Sequence, residues 1–353
     1  MLANPVCRGG HHCNDRLQTV EGIMHQYGGR GELARRSLLA IGAGFLLTIV
    51  DARAENFPNG PVKIVTSVGP GAAPDIISRL VADHLTQLWG QQVIVFNQPG
   101  GAGAVAIKAV APATPDGHTL YMALASNFIA LPELQKDFPV DLVRDFVPIG
   151  FVGEQPLGIG VTPALGVNTL SELIALIKSE PGALNVAAGN RGSILHLAGE
   201  WLRSATGTKF TMLHYTGGAR ALPDIMGGRV QVDIDALASM RGAIDGGQLK
   251  LLAVTSDKRI HNFPQVPAVA ETLPGFRAVG WMALMAPPGT PAGIALKISD
   301  DLRKVLVKSE LGRRLDELGT YVNPTTPAEL TNFIREQQQI WQPVISETAK
   351  TIR

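Results

Sequence analysis

Ser193 and His196 stand three residues apart at what reads as the start of a helix, the arrangement of a nucleophile beside a base. No Gly-x-Ser-x-Gly turn surrounds Ser193, and no nearby acid is placed to orient the imidazole. No catalytic residue is therefore assigned, and the chain is not read as an enzyme. The run Gly69-Pro70-Gly71-Ala72-Ala73-Pro74 follows a strand pattern and precedes a helical one, where a dinucleotide-binding turn would sit. Pro74 occupies the place of the third glycine, and the strand Val93 to Asn97 ends in an amide instead of the acid that holds a ribose. No cofactor is implied. His11, His12 and Cys13 are adjacent, without the distant fourth ligand of a tetrahedral metal site. What survives is simpler chemistry: a turn of small residues leaves the N–H groups of a helix N-terminus open to an anion. A second such turn runs from Ala187 to Ser193, with a hydroxyl at Ser193 and a cation at Arg191. Two of these turns, one from each of two units, suit the opposite ends of one small dianion.

The elements that must carry these turns alternate, which argues for an α/β fold of parallel sheets covered by helices. Strands are expected at Lys63 to Ser67, Val93 to Asn97 and His118 to Ala123. A second series follows at Leu184 to Ala187, Lys209 to His214, Arg229 to Asp235 and Lys250 to Thr255. The first helix should start near Asp75, with Ile76, Ile77, Leu80, Val81, Leu85 and Leu88 at helical spacing. Thr169 and Glu172 form a capping box for a helix to about Ser179, and another helical run spans Leu195 to Ser204. The tail turns helical, from Pro291 to Lys308 and from Pro327 to Thr348, and is expected to return and cover the first unit.

A chain of 353 residues exceeds one ordinary core and suits two lobes. Lys and Arg number 31 against 30 acids, which gives no nucleic-acid surface or polybasic membrane patch, and 5% aromatics are too few for base stacking. Arg35 and Arg36 precede an uncharged stretch from Ser37 to Val50, and Ala52-Arg53-Ala54 supplies a small-x-small cleavage site. Residues 1–54 are read as an export leader removed near Ala54, by the Sec or the twin-arginine route, with Met1 or Met24 as the start. The apolar run is too short for a spanning anchor. Cys7 and Cys13 both lie in this leader, so the mature chain is expected to have no thiol.

Longer motifs make the comparison specific. The runs Pro61 to Leu80 and Gly90 to Gly103 are followed, in order, by Pro115-Asp116-Gly117, Asp145-Phe146, His196 to Glu200, Tyr215-Thr216-Gly217, Leu251 to Ser256 with Arg259, Val266-Pro267 with Glu271, and Ala286 to Pro291. Together they resemble the Bug family, the receptors of tripartite tricarboxylate transporters, over nearly all of residues 58–345. The resemblance implies a two-lobed periplasmic-binding-protein type II fold. Each lobe would be a sheet flanked by helices, with lobe 1 at 55–157 plus 279–353 and lobe 2 at 158–278. It implies a periplasmic, monomeric receptor that closes on a small carboxylate or related organic anion. Its partners would be the membrane subunits of such a transporter, or alternatively a membrane sensor kinase. Carried onto matching positions, ligand contacts fall at Val68, Gly69, Gly71, Ala72 and Asp75, then Ser126 and Asn127. In the second lobe they fall at Arg191, Gly192, Ser193, His196, Tyr215 and Asp235. Val68, Pro74 and Arg191 depart from the family pattern and favour a more apolar ligand with one anionic end.

Overall fold

The computed structural model describes residues 57–216, 220–307 and 309–352. The expected leader, its arginine pair, both cysteines and the cleavage site lie outside the described residues, as does Gly217. The strands are β1 (Val62–Thr66), β2 (Val93–Asn97), β3 (Thr119–Leu124), β4 (Val147–Val161), β5 (Asn185–Gly189), β6 (Thr211–Tyr215), β7 (Val232–Ala236), β8 (Lys250–Val254) and β9 (Val279–Ala286). Their lateral order is β2-β1-β3-β9-β4-β7-β5-β6, with β8 also on β4. In the first half β1 pairs in parallel with β2 and β3, and β9 runs antiparallel to β3, with Tyr121 opposite Met285. In the second half β5 pairs in parallel with β6 and β7.

One strand joins the halves. β4 lies antiparallel to β9 from Val147 opposite Ala286 to Pro156 opposite Val279. From Leu157 onward it pairs instead with β7 and β8. Such a strand must be approached closely from both halves, and glycine permits this. A Cβ on Gly153 would stand 2.7 Å from Thr320 Cγ2, and one on Gly158 2.8 Å from Met240 Sδ. The seven strands expected from alternation are present within a few residues, whereas β4 and β9 were not anticipated. β4 contains Pro148, Pro156 and several glycines, which read as turn residues. Register shifts beside Pro148 and Phe151 let the strand absorb them.

The helices used below are α1 (Ala73–Trp89), α2 (Ala104–Val110), α3 (Ala125–Ile129), α4 (Leu170–Ser179), α5 (Ile194–Thr206), α6 (Leu237–Asp245), α7 (Ala292–Leu306), α8 (Glu310–Glu317) and α9 (Pro327–Ile352). In α1, Ile77, Val81 and Leu85 recur every fourth residue and are wholly buried. Pro74 sits in its first turn, where no N–H is needed, and Gly90 ends it at φ +65°. Thr169 caps α4, its hydroxyl accepting from the Glu172 N–H at 3.1 Å, but the returning bond of the expected capping box is shifted by one residue, with the Glu172 carboxylate accepting the Asn168 N–H at 2.6 Å.

The first half's outer face is closed by α7 and α8, which bury Ile298, Leu302, Leu311 and Leu315 against Ile64, Ile149 and Leu284. Here Asp301, 2% exposed, accepts from Trp89 Nε1 at 2.8 Å, Lys297 Nζ at 2.6 Å and Lys304 Nζ at 2.9 Å. On the other face one core runs through both halves. Trp281 of β9 stacks on Phe128 with ring centroids 5.2 Å apart and meets the edge of Phe333 from α9. Trp341, further along α9, meets Trp201 of α5 edge-on at 5.4 Å. The tail helix therefore packs on both halves, since its aromatic side chains reach β9 and α5 alike. Removing the carboxylate by Asp301→Ala leaves the half-buried Trp89 N–H without its partner and frees Lys297 and Lys304, which both reach solvent. A loss of about 2 kcal/mol in urea unfolding, chiefly from the Trp89 hydrogen bond, is expected.

Candidate functional site

Four strand-to-helix turns face one crevice: β1 into α1, β3 into α3, β5 into α5 and β7 into α6. Ligands of open α/β sheets bind at such carboxyl ends. Within the crevice an inner chamber of about 80 Å³ adjoins an outer mouth of about 480 Å³. Val68, Leu124, Ser126, Asn190, Ser193 and Thr216 line both. Ala72, Tyr215 and Asp235 line only the inner chamber, together with Gln155, Leu157, Gly280 and Trp281 from the two joining strands. Arg191 is exposed and lines only the mouth. The halves nearly touch across the gap. A Cβ on Gly69 would stand 3.0 Å from the Thr216 carbonyl oxygen, and one on Gly192 2.4 Å from Leu134 Cδ1.

The first turn is held from within. Gly71, at φ +81°, donates its N–H to Asp75 Oδ2 at 2.9 Å. Asp75 also pairs with Arg79 at 2.9 Å and accepts from Asn97 Nδ2 at 2.8 Å, and the same amide reaches the Val68 carbonyl at 3.1 Å. Burial alone would raise the Asp75 pKa, but Arg79, Asn97 and the Gly71 N–H outweigh it and hold the carboxyl below its usual range. Gly69, Gly71 and Asp75 are thus not among the residues lining the crevice. They shape the turn that presents Val68 and Ala72. Asn127 behaves alike: its Oδ1 accepts from the Tyr121 hydroxyl at 2.7 Å and the Leu124 N–H at 2.8 Å, while Nδ2 donates to Ala102 O at 2.9 Å. It borders a separate groove of about 380 Å³ beside Leu131 and Gln338, while its neighbour Ser126 faces the crevice.

The second turn is braced by histidines. Gly192, at φ +77°, donates its N–H to His196 Nδ1 at 3.1 Å. That acceptor role places the ring proton on Nε2, which lies 3.6 Å from Glu200 Oε1. Burial raises the Glu200 pKa, but His196 and Arg203 draw it below the usual value. His214 meets His196 edge-on at 4.9 Å, and its Nδ1–H donates to the Gly189 carbonyl at 2.8 Å. Burial, chiefly, lowers its pKa. Gly192 and His196 are buried and lie behind the turn. Ser193 is the N-cap of α5, accepting the His196 N–H at 3.3 Å. Among the described residues, the N–H groups of Ile194 and Leu195 have no hydrogen-bond partner, and both residues line the inner chamber.

Two acids stand on β7, and one of them, Asp235, lines the inner chamber. Asp235 Oδ1 accepts the Ala236 N–H at 2.6 Å, and Asp233 lies two residues earlier on the same face of β7. Burial raises both pKa values, and the neighbouring carboxylate adds to the rise at Asp233. Tyr215 gives its hydroxyl proton to Asp224 Oδ2 at 2.6 Å. Burial and that partner push its pKa up to about 12. Sequence reasoning missed Gln155, Leu157, Gly280 and Trp281 because their strands were not recognised. The apolar run Val279 to Ala286, broken only by Gly280, was the available signal for a buried strand.

The profile of the tripartite tricarboxylate transporter family receptor matches residues 77–349. Protein BugT of Bordetella pertussis is 31% identical over 321 residues, covering 90% of this chain and 98% of BugT. The structure of the periplasmic binding protein BugD superposes with a TM-score of 0.78 at 28% identity, covering 83% of this chain and 99% of BugD. That of R. palustris Rpa4515 with adipate gives 0.79 at 27% identity, over 82% and 97%. The fold is thus that of the two-lobed periplasmic binding proteins, and the chain belongs to the tripartite tricarboxylate transporter receptor family.

Proposed function

We propose that the protein is a periplasmic receptor that encloses a small carboxylate-bearing solute between two halves and presents it to the membrane subunits of a tripartite transporter. The observation that carries this reading is the convergence of four strand-to-helix turns on one chamber, with N–H groups of α5 left open toward it. Helix N-termini favour an anion there, each by roughly 0.3–1 kcal/mol. The relative bound to adipate supports a carboxylate as the anion.

The halves are residues 55–157 with 279–353, and residues 158–278. The handover of β4 from β9 to β7 at Pro156 and Leu157 supports a division at that point. Closure turns about the joining strands and brings Val68, Ala72 and Ser126 toward Ser193, Tyr215 and Asp235. Catalysis forms no part of the reading. Ser193 Oγ caps a helix and His196 Nδ1 is occupied by a backbone N–H, so neither is set as nucleophile or base. Residues 1–54 direct export. Among the described residues no helix is long and apolar enough to cross a membrane.

A thermal-shift series of mono-, di- and tricarboxylates on the mature chain checks the reading. At least one should raise the melting temperature in a saturable manner, and a flat response to all of them counts against it. Closure has its own test in Gly69→Ala. Its backbone φ is not in the left-handed region, so the added methyl strains only the approach to the Thr216 carbonyl. Affinity for a stabilising acid should fall about tenfold, or 1.4 kcal/mol, with little change in unfolding. An unchanged dissociation constant by calorimetry removes that contact from the closed state.

A further inference from the structure

The chain between β8 and β9 is long, yet it is stiffly held. Ile260, 7% exposed, is buried with Leu237, Val254 and Ala268, and Phe263 packs on the same cluster. Arg259 grips Glu271 through two hydrogen bonds of 2.8 Å, and Glu271 Oε1 also accepts the Ala268 N–H at 2.9 Å. Between the apolar anchors Ile260 and Phe263, His261 and Asn262 reach the end of α8. His261 Nε2 lies 2.8 Å from Asp316 Oδ2. Asn262 Nδ2 donates to the Asp316 carbonyl, and its Oδ1 accepts the Tyr321 hydroxyl at 3.1 Å. None of these four residues lines the chamber or its mouth.

The receiving end is built into the other half. Leu311 and Leu315 fix α8 in the first half's core. Asp316 stands in the last turn of the helix, where carbonyls lack helical partners and the dipole favours donors. Its carbonyl takes the Gly319 N–H at 2.8 Å as well as the Asn262 amide. Gly319 turns the chain at φ +71°, and a Cβ there would stand 3.1 Å from Leu237 of α6. Tyr321 then exchanges two backbone hydrogen bonds of 2.9 Å with Glu154, just before β4 changes partners at Leu157. A loop of one half is thereby joined to a helix end of the other, beside the strand that links them.

The side chains of His261 and Asp316 are 65% and 41% exposed, so their pair alone contributes little. Asn262 is half-buried and uses both ends of its amide, which makes it the stronger tie. These bonds are made in the same arrangement in which Gly69 approaches Thr216 and Gly192 approaches Leu134 across the crevice. A rotation that opened the crevice about β4 would shift the loop against α8. Each partner is held rigidly in its own half, and hydrogen bonds weaken steeply with small displacements, so the contact does not survive that rotation.

We infer that His261 and Asn262 form a latch on the end of α8 that holds the crevice narrowed in the absence of solute. The inference rests on the reading of two halves that close, and adds the residues that set their resting position. A solute then meets halves already near their bound arrangement, and less of its binding free energy goes into moving them.

Spin labels test it in the ligand-free mature chain, which contains no cysteine beyond Cys7 and Cys13 of the leader. Lys136→Cys in the first half and Met226→Cys in the second place them at exposed positions outside the crevice and the latch. Electron-spin distance measurements then read the share of near and far separations. His261→Ala should lower the ratio of near to far about threefold, and Asn262→Ala about tenfold. His261→Gln keeps a donor within reach of Asp316 and should return the ratio to within about twofold of the parent. Asn262→Asp keeps the acceptor for Tyr321 but loses the donor to α8, and should open the halves as far as Asn262→Ala does. A contact that only stabilises the fold would lower the urea midpoint and leave the separations as they are. Unchanged or shortened separations in both alanine variants overturn the latch, and an acid that still raises the melting temperature then leaves the receptor reading standing.

Discussion

A strand fifteen residues long spans about 50 Å, more than one small sheet can use. β4 spends Val147–Pro156 against β9 and Leu157–Val161 against β7 and β8, so a single backbone serves two sheets. This sharing brings the carboxyl ends of β1 and β3 to the same crevice as those of β5 and β7. It also supplies the chamber's floor, because Gln155 and Leu157 lie where the strand changes partners. The glycines that let α6 and the segment after α8 approach β4 follow from the same demand.

The turns around that crevice are preorganised by bonds that never face it. Asp75 collects Gly71, Asn97 and Arg79, and His196 collects Gly192 and Glu200. Buried polar atoms satisfied in this way fix the backbone before a solute arrives, so ordering the loops costs little on binding. The residues lining the chamber are mostly small or apolar, with a few hydroxyls, the amides of Gln155 and Asn190, and one acid. The open N–H groups of α5 lie at one part of the chamber and Asp235 of β7 at another.

Much of this was legible in the sequence. Alternation located seven strands, and the small-residue turns at Gly69 and Gly189 marked both walls of the crevice. Thr169 and Glu172 announced a helix that is present as read. The two missed strands share a cause. β4 and β9 are antiparallel joining strands, and the glycines and prolines that permit their bulges look like breaks in a local window. A single sequence also does not say which side of a turn a polar residue faces. Asp75, Asn127 and His196 were assigned to the ligand because polar residues beside an anion-binding turn can serve either the ligand or the turn. Their hydrogen bonds within the turns are visible only in the structure.

α9 adds a constraint of a different kind. With Phe333 against Trp281 and Trp341 against Trp201, it is attached to both halves at points two helical turns apart. A rigid rod fastened at two such points behaves as a torsion bar: it permits twisting about its own length and resists separation of the ends it ties. In the proposed closure the crevice is therefore free to change its angle more readily than its width, and the amplitude of that change is set by α9, which packs behind Trp281 of the chamber. Variation among the turns can alter what is held without altering how far the halves swing.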